Sequence, residues 1–185
     1  MKKRDTKDAL KRAFMKLALT REINEITIKE IAAEANVNRT TFYLYFYDIY
    51  DVLADLEADC TEGFHDLYDS FTVEDALHPY RMLYRMGQAL DADPEFGRFL
   101  TQSTLSDTLI RSVKNNITEA LACRMAKEQN LPPEHNRFAV LAAVSGIMDA
   151  YVSWCRDPRG VTLEALCEQL STLLSGDRTD FPLSR

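Results

Sequence analysis

Arg39, Thr40, Tyr43, Leu44 and Tyr47 fall within one short stretch and, at about 100° per residue, spread over one side of a predicted helix. Phe42, Tyr45 and Phe46 cluster on the other side. A guanidinium can donate twice to the edge of a guanine, a threonine can bond either base type or touch a thymine methyl, and a tyrosine hydroxyl reaches phosphate oxygens. The chemistry on offer is recognition by hydrogen bonds rather than bond cleavage. An ordinary helical hairpin with a solvated polar face satisfies the same periodicity, so spacing alone leaves both readings open. An enzyme is not expected: the chain holds no HExxH, no nucleophile elbow and no glycine-rich phosphate loop, and His65, His78 and His135 are scattered.

The elements that must hold those side chains carry their own punctuation. Thr27 is a good N-cap with Glu30 as its capping-box partner, and Ile26 and Ile31 stand at the staple positions. Ile28, Ile31, Ala32 and Ala35 share one helical face, which must be buried. Asn36 follows where the chain has to leave through a left-handed residue, a conformation asparagine tolerates. Asn38 then caps a second helix, with Val37 and Phe42 as its staple. Before this pair, Thr6 to Leu19 reads as a helix burying Leu10, Ala13, Phe14, Leu17 and Ala18, with Lys7, Lys11, Arg12 and Lys16 outside.

The stretch TIKEIAAEANVNRTTFYLYF resembles the helix-turn-helix of the TetR family of bacterial transcription regulators through Thr27, Ile31, Ala32, Ala35, Val37, Thr41, Phe42, Tyr43, Tyr45 and Phe46. The resemblance implies an all-α fold with a three-helix DNA-binding domain over residues 1–47. A helical regulatory and dimerisation domain over 48–175 and a flexible tail over 176–185 would follow. It also implies that Lys29, Arg39, Thr40, Thr41 and Tyr43 contact bases or nearby phosphates. Tyr45 would pack or touch phosphate, and Thr27 would add a phosphate bond to its capping role. After the motif the family commonly continues Lys-x-Lys, whereas this chain has Tyr47-Asp48-Ile49. Backbone affinity must then come from Tyr47, the helix start at Asp48, or the basic arm of Lys2, Lys3 and Arg4.

Composition constrains the rest. With 185 residues and 46% hydrophobic content the chain can fill a core without staples. Cys60, Cys123, Cys155 and Cys167 form no CxxC pair and no metal-ligand spacing with histidine, so buried small hydrophobes are expected, with no metal and no cofactor. The net charge is −7, but residues 1–46 hold ten Lys or Arg against six Asp or Glu, a balance of +4, and the remainder balances at −11. A basic end can attach to phosphates while an acidic body resists nonspecific condensation, although a lysine-rich solubilising tail has the same signature. Met1-Lys2-Lys3-Arg4 is followed by Asp5, Lys7 and Asp8 rather than an apolar run, and Phe138 to Met148 is short for a bilayer, so a soluble cytoplasmic protein is expected.

Beyond the motif, a long helix is predicted from Ile49 to about Ser70, first-turn prolines at Pro79 and Pro94 suit two more, and further helices run over Ser106 to Gln129, Glu134 to Arg156 and Thr162 to Leu174. Phe138 to Trp154 is apolar nearly all round and must be covered on more than one side, by a second subunit or by the core of a monomer. The resemblance implies the former, a homodimer through residues 134–175 that binds a palindromic operator. It implies too that a small molecule entering the C-terminal half releases DNA. Phe64, Tyr68, Tyr84, Phe99 and Trp154 are candidate lining residues, though such side chains also fill bundles. Asp149, the lone charge between Phe138 and Cys155, is either a ligand contact or part of a polar stripe with Ser145, Ser153 and Arg156. The reading is a dimeric, sequence-specific DNA-binding regulator, a repressor released by a small molecule. The alternative is a helical ligand-binding or coactivator protein that keeps the scaffold with weak direct DNA binding.

Overall fold

Apolar residues at helical spacing, interrupted by capping residues and prolines, give nine α-helices and no strand among the described residues. The computed structural model describes residues 3–70, 79–130, 132 and 134–175. The helices are α1 (Lys3–Leu17), α2 (Ile28–Glu34), α3 (Arg39–Phe42), α4 (Ile49–Asp69), α5 (Pro79–Asp91), α6 (Pro94–Gln102), α7 (Ser106–Gln129), α8 (Glu134–Arg156) and α9 (Leu163–Ser175). Lys2, the side chains of Lys3 and Arg4, His78 and the tail 176–185 lie outside the described residues.

Packing separates two units, residues 1–63 with 93–117 and residues 64–92 with 118–185. The motif boundary at 47/48 is therefore not where packing divides. In the first unit α1 packs on α2 and α6, and α2 on α3. Leu10, Phe14, Ile31, Phe42, Val52, Phe99 and Leu109 are its buried centre. Arg12 reaches Asp93 and Glu95 at 3.1 and 2.5 Å, and Ser103 Oγ donates to the carbonyl of Ala18 at 2.7 Å, which ties the α6 region to α1.

In the second unit α9 packs on α5 and on α8 around Leu83, Tyr151, Leu163, Leu166, Cys167 and Leu170. Gly87 permits the close approach of α5 and α9: a Cβ there would fall 2.4 Å from Cδ1 of Leu163. Tyr151 donates its hydroxyl to the carbonyl of Leu83 and lies 3.3 Å from Sγ of Cys167. Burial of this ring raises the phenol pKa far above its ordinary value.

α8 is 23 residues long, longer than the apolar run Phe138 to Met148 alone would give, and by length and composition it is apolar enough to cross a membrane. Val140, Val144 and Tyr151 turn inward, while Phe138 is 75% exposed and only 17% of the most apolar window of the helix is buried. The cysteines divide: Cys167 is buried, Cys60 and Cys155 are half-buried and Cys123 is exposed, contrary to the expectation that all four are interior. Burial, with Asp59 and Glu57 nearby, pushes the Cys60 thiol up to about 12, so it is an unreactive thiol at neutral pH.

Candidate functional site

The reading surface is built from its caps upward. Thr27 Oγ1 accepts from the Glu30 amide at 3.3 Å and the Glu30 carboxylate accepts from the Thr27 amide at 3.0 Å, closing the capping box that starts α2. Thr27 Oγ1 also donates to Glu30 Oε2 at 2.7 Å. Its hydroxyl proton is therefore committed to the cap and is not directed toward a phosphate. These Thr27 bonds, with Arg21 beside the carboxylate, lower the Glu30 pKa to about 2. α2 ends at Asn36, which adopts φ +54, the left-handed residue the turn requires.

Asn38 Oδ1 accepts from the amide and hydroxyl of Thr41 at 2.7 and 2.9 Å. Thr41 is thus the second threonine bound into a cap. α3 is a single helical turn, and residues 43–45 continue as turns rather than as the longer helix the periodicity predicts. So short a helix is not stable by itself, since nucleation costs more than one turn returns. It is held from below by Phe42 and Phe46, both buried, with ring centroids 5.7 Å apart.

Above these anchors the turn presents Arg39 and Thr40, both exposed, with Tyr43 half-open beside them and Leu44 72% exposed. Arg39 Nη2 donates to the Tyr43 hydroxyl at 2.9 Å and the guanidinium stands 5.5 Å from that ring's centroid, so the two side chains form one pre-oriented unit. Tyr45 is half-buried and packs rather than projects. Tyr47 is 84% exposed and its amide donates to Asp51, while Asp48 Oδ1 accepts from the amides of Tyr50 and Asp51 and starts α4. Tyr50, also exposed, joins this rim. Sequence reading missed it because the motif ends four residues earlier, at Phe46; Asp48 as a cap is the signal that would have placed Tyr50 in the first turn.

The cations of the basic N-terminal region are mostly used internally. Lys7 pairs with Asp55, Lys11 with Asp59 and Asp55, Arg12 with Asp93 and Glu95, Lys16 with Glu34 and Arg21 with Glu30. Lys11 is 7% exposed, not on the outside as its place in the pattern predicts. Burial alone would lower its pKa, but Asp59 and Asp55 outweigh that and hold it above the ordinary lysine value. Asp55 Oδ2 is buried and lies 3.3 Å from the Lys11 ammonium without hydrogen-bond geometry. Among the described residues 5–46, Lys29 and Arg39 are the cations without a carboxylate partner.

The second unit holds a cavity of about 320 Å³. Phe64 and Tyr68 of α4 line it with rings stacked at 6.3 Å, and Met82, Met86, Met125 and Met148 supply much of the remaining wall. The other four candidate lining residues stand elsewhere. Tyr84 reaches Glu164 at 3.3 Å, and Trp154 Nε1 donates to the carbonyl of Val161 at 2.8 Å, both against the α5/α9 core. Phe99 is fully buried in the first unit. Asp149 is exposed on α8 and does not line the cavity. Met82 and Met86 are one turn apart and therefore share a face, a signal legible in the sequence; Leu121 and Met125 repeat it on α7. Among the described residues no group of His, Cys, Asp or Glu could hold a metal ion.

Comparison with known proteins places these features. Residues 12–56 match the sequence model described as bacterial regulatory proteins, tetR family. An uncharacterised HTH-type transcriptional regulator of Bacillus subtilis, YxbF, is 40% identical over 70 residues, 37% of this chain but 18% of that protein's length. The fold is similar to that of the fatty acid degradation regulator FadR from Bacillus halodurans, with a TM-score of 0.63 at 21% identity over 97% of this chain and 99% of that one. It is likewise similar to NalD, secondary repressor of the MexAB-OprM multidrug efflux pump in Pseudomonas aeruginosa, with a TM-score of 0.65 at 17% identity over 95% and 97% of the two chains. A third likeness, with a TM-score of 0.58 at 15% identity over 90% and 96%, is to FadR from Bacillus subtilis in complex with stearoyl-CoA.

Proposed function

We propose that this chain, a member of the TetR family of bacterial transcription regulators, binds a palindromic operator as a homodimer and represses until a small molecule in the second unit releases it. The observation that carries the reading is the division of labour at α3. Phe42 and Phe46 are buried while Arg39, Thr40 and Tyr43 point outward and carry donors that suit base edges and phosphates. Thr27 caps α2 and Thr41 is bound to the Asn38 cap of α3, so direct contact falls to Lys29, Arg39, Thr40, Tyr43 and Tyr47.

A second copy is the natural cover for α8, whose apolar surface is largely open, with Phe138, Leu173 and Leu174 exposed alongside it. Asp149, exposed in the middle of that helix, fits a protein or solvent boundary better than a lipid one. The two copies would set their recognition turns about 34 to 36 Å apart, one turn of DNA, in the cytoplasm where an operator is found. α4 gives Asp55 and Asp59 to the pairs with α1 and, further along, Phe64 and Tyr68 to the cavity, so an occupant and the reading unit share one helix. FadR from Bacillus subtilis, a neighbour in fold, is described in complex with stearoyl-CoA, a molecule with a long apolar chain, which supports an effector with apolar surface here.

One observation favours a second reading, a ligand-binding or coactivator protein with weak direct DNA contact: Tyr47 and Ile49 replace the usual lysines and five further cations are paired internally. Selection of bound fragments from a random duplex library by the full chain, repeated across salt concentrations, separates the two. A palindrome with half-sites about 10 base pairs apart and an affinity that falls steeply with salt is expected. A library that returns no enriched sequence would remove the DNA-binding reading and leave the second.

A further inference from the structure

We infer that the cavity of the second unit takes an uncharged hydrophobic molecule, selecting on charge and tolerating variation in shape; this rests on the effector reading above. Among the described residues, every side chain of the wall is apolar except Tyr68, whose hydroxyl is the one polar group among those lining it. An ionised group buried against this wall would give up part of its water and meet no counter-charge among the described lining residues, a cost that apolar contacts do not return. The volume of about 320 Å³ sits at the lower end of the range of roughly 300 to 1,000 Å³ that small ligands occupy, so the occupant is compact.

The rim sharpens the choice. One cation beside the wall is Arg124, whose guanidinium lies 4.8 Å from the centroid of the Tyr68 ring. It is already held by Asp69 at 2.5 Å and by Glu128 at 3.3 Å, two carboxylates to one guanidinium. An anionic head group on a buried chain would therefore meet an arginine already neutralised by two carboxylates instead of a free one. Shape is handled differently. Met82, Met86, Met125 and Met148 have unbranched, polarisable side chains with several rotatable bonds, and walls of that kind repack around different apolar outlines.

The test uses the full chain and the neutral fluorophore N-phenyl-1-naphthylamine, displaced by probes of equal chain length and different head charge. 1-Decanol is expected to displace it at one site per chain, with decanoate and decyltrimethylammonium at least about tenfold weaker, or 1.4 kcal/mol. Menthol, cyclic but neutral, is expected to fall within about tenfold of decanol. Ala143→Phe, which fills the space between the methionines, is expected to abolish displacement; should that variant fail to fold, one-to-one competition between decanol and menthol on the native chain serves instead. Decanoate or the ammonium compound binding as tightly as decanol would overturn the inference, as would displacement by none of them. A DNA arm keeps the two readings apart. Decanol that binds in the expected order yet leaves operator affinity unchanged would sink the effector reading and spare the ligand class, whereas release by decanoate alone would do the reverse.

Discussion

Replacing Lys29 by glutamine tests whether the cations of residues 5–46 without a carboxylate partner are the ones that meet phosphate. On the proposed function Lys29 and Arg39 would give two such contacts per protomer, hence four in a dimer, whereas Lys16 is held by Glu34. Each phosphate neutralised contributes about 0.9 to the slope of log K against log salt. The four contacts alone give a slope of about −3.6 and a loss of about 150-fold in affinity between roughly 50 and 200 mM salt. Lys29→Gln removes two of them, so the slope becomes shallower by about 1.8 and the loss over the same range falls to about 12-fold. Contacts made by the arm Lys2 to Arg4 add equally to both proteins and cancel in the difference. Lys16→Gln is the control and is expected to move the slope by less than half as much, because its ammonium is already neutralised. Fluorescence anisotropy on a duplex from the library selection, titrated at four or more salt concentrations, reads all three slopes. Identical slopes for the native chain and Lys29→Gln, or an equal change in Lys16→Gln, would refute the assignment of internal and external cations.

Asn38→Ala is expected to lower thermal stability by about 0.5 to 2 kcal/mol and to weaken operator binding more than stability alone requires, while Asn38→Asp keeps both; an unchanged melt and affinity in the alanine variant would contradict the capping role. Tyr151→Phe removes a buried hydroxyl from the Leu83 carbonyl and is expected to cost about 0.5 to 1.5 kcal/mol in calorimetric unfolding, a value near zero being the contrary result. Glu30 titrates in the folded state at about 2, well below its ordinary value of 4.5, because Thr27 and Arg21 favour the carboxylate. A depressed acid stabilises above its unfolded pKa and ceases to do so as pH falls through the folded one, so the stability gap between the native chain and Glu30→Gln should be full above about pH 5 and close toward pH 2. A gap independent of pH in acid denaturation would show that the charge of Glu30 plays no part.

How much was legible in the sequence followed from the range of the interactions. The caps at Thr27, Asn38 and Asp48, the left-handed Asn36 and the prolines opening α5 and α6 are local signals, and each stands where its residue type predicts. α7, α8 and α9 run close to their expected bounds for the same reason. What depended on distant partners was not readable. Lys11 sits on the flank of the α1 stripe, and nothing within its own helix announces that Asp55 and Asp59 will enclose it. Phe99 reads as a bundle aromatic, but the contacts of α6 with α1 assign it to the first unit. Tyr84 and Trp154 share the composition of a cavity wall, yet their polar atoms find Glu164 and the Val161 carbonyl. The length of α3 was overestimated because the periodicity of Phe42, Tyr45 and Phe46 persists through turns that are no longer helical.

The brevity of α3 separates what must be kept from what is free to drift. Between the capping Asn38 and the two sunken phenylalanines, the exposed Arg39, Thr40 and Leu44 carry almost no weight in the scaffold and can be exchanged without disturbing the floor beneath them. A DNA reader assembled as proposed can acquire a new target through a handful of codons while the rest of its body stays as it is. Relatives with nearly identical frames need therefore share no binding site, and grafting these outward positions from one to another is a practical route to redirecting the protein.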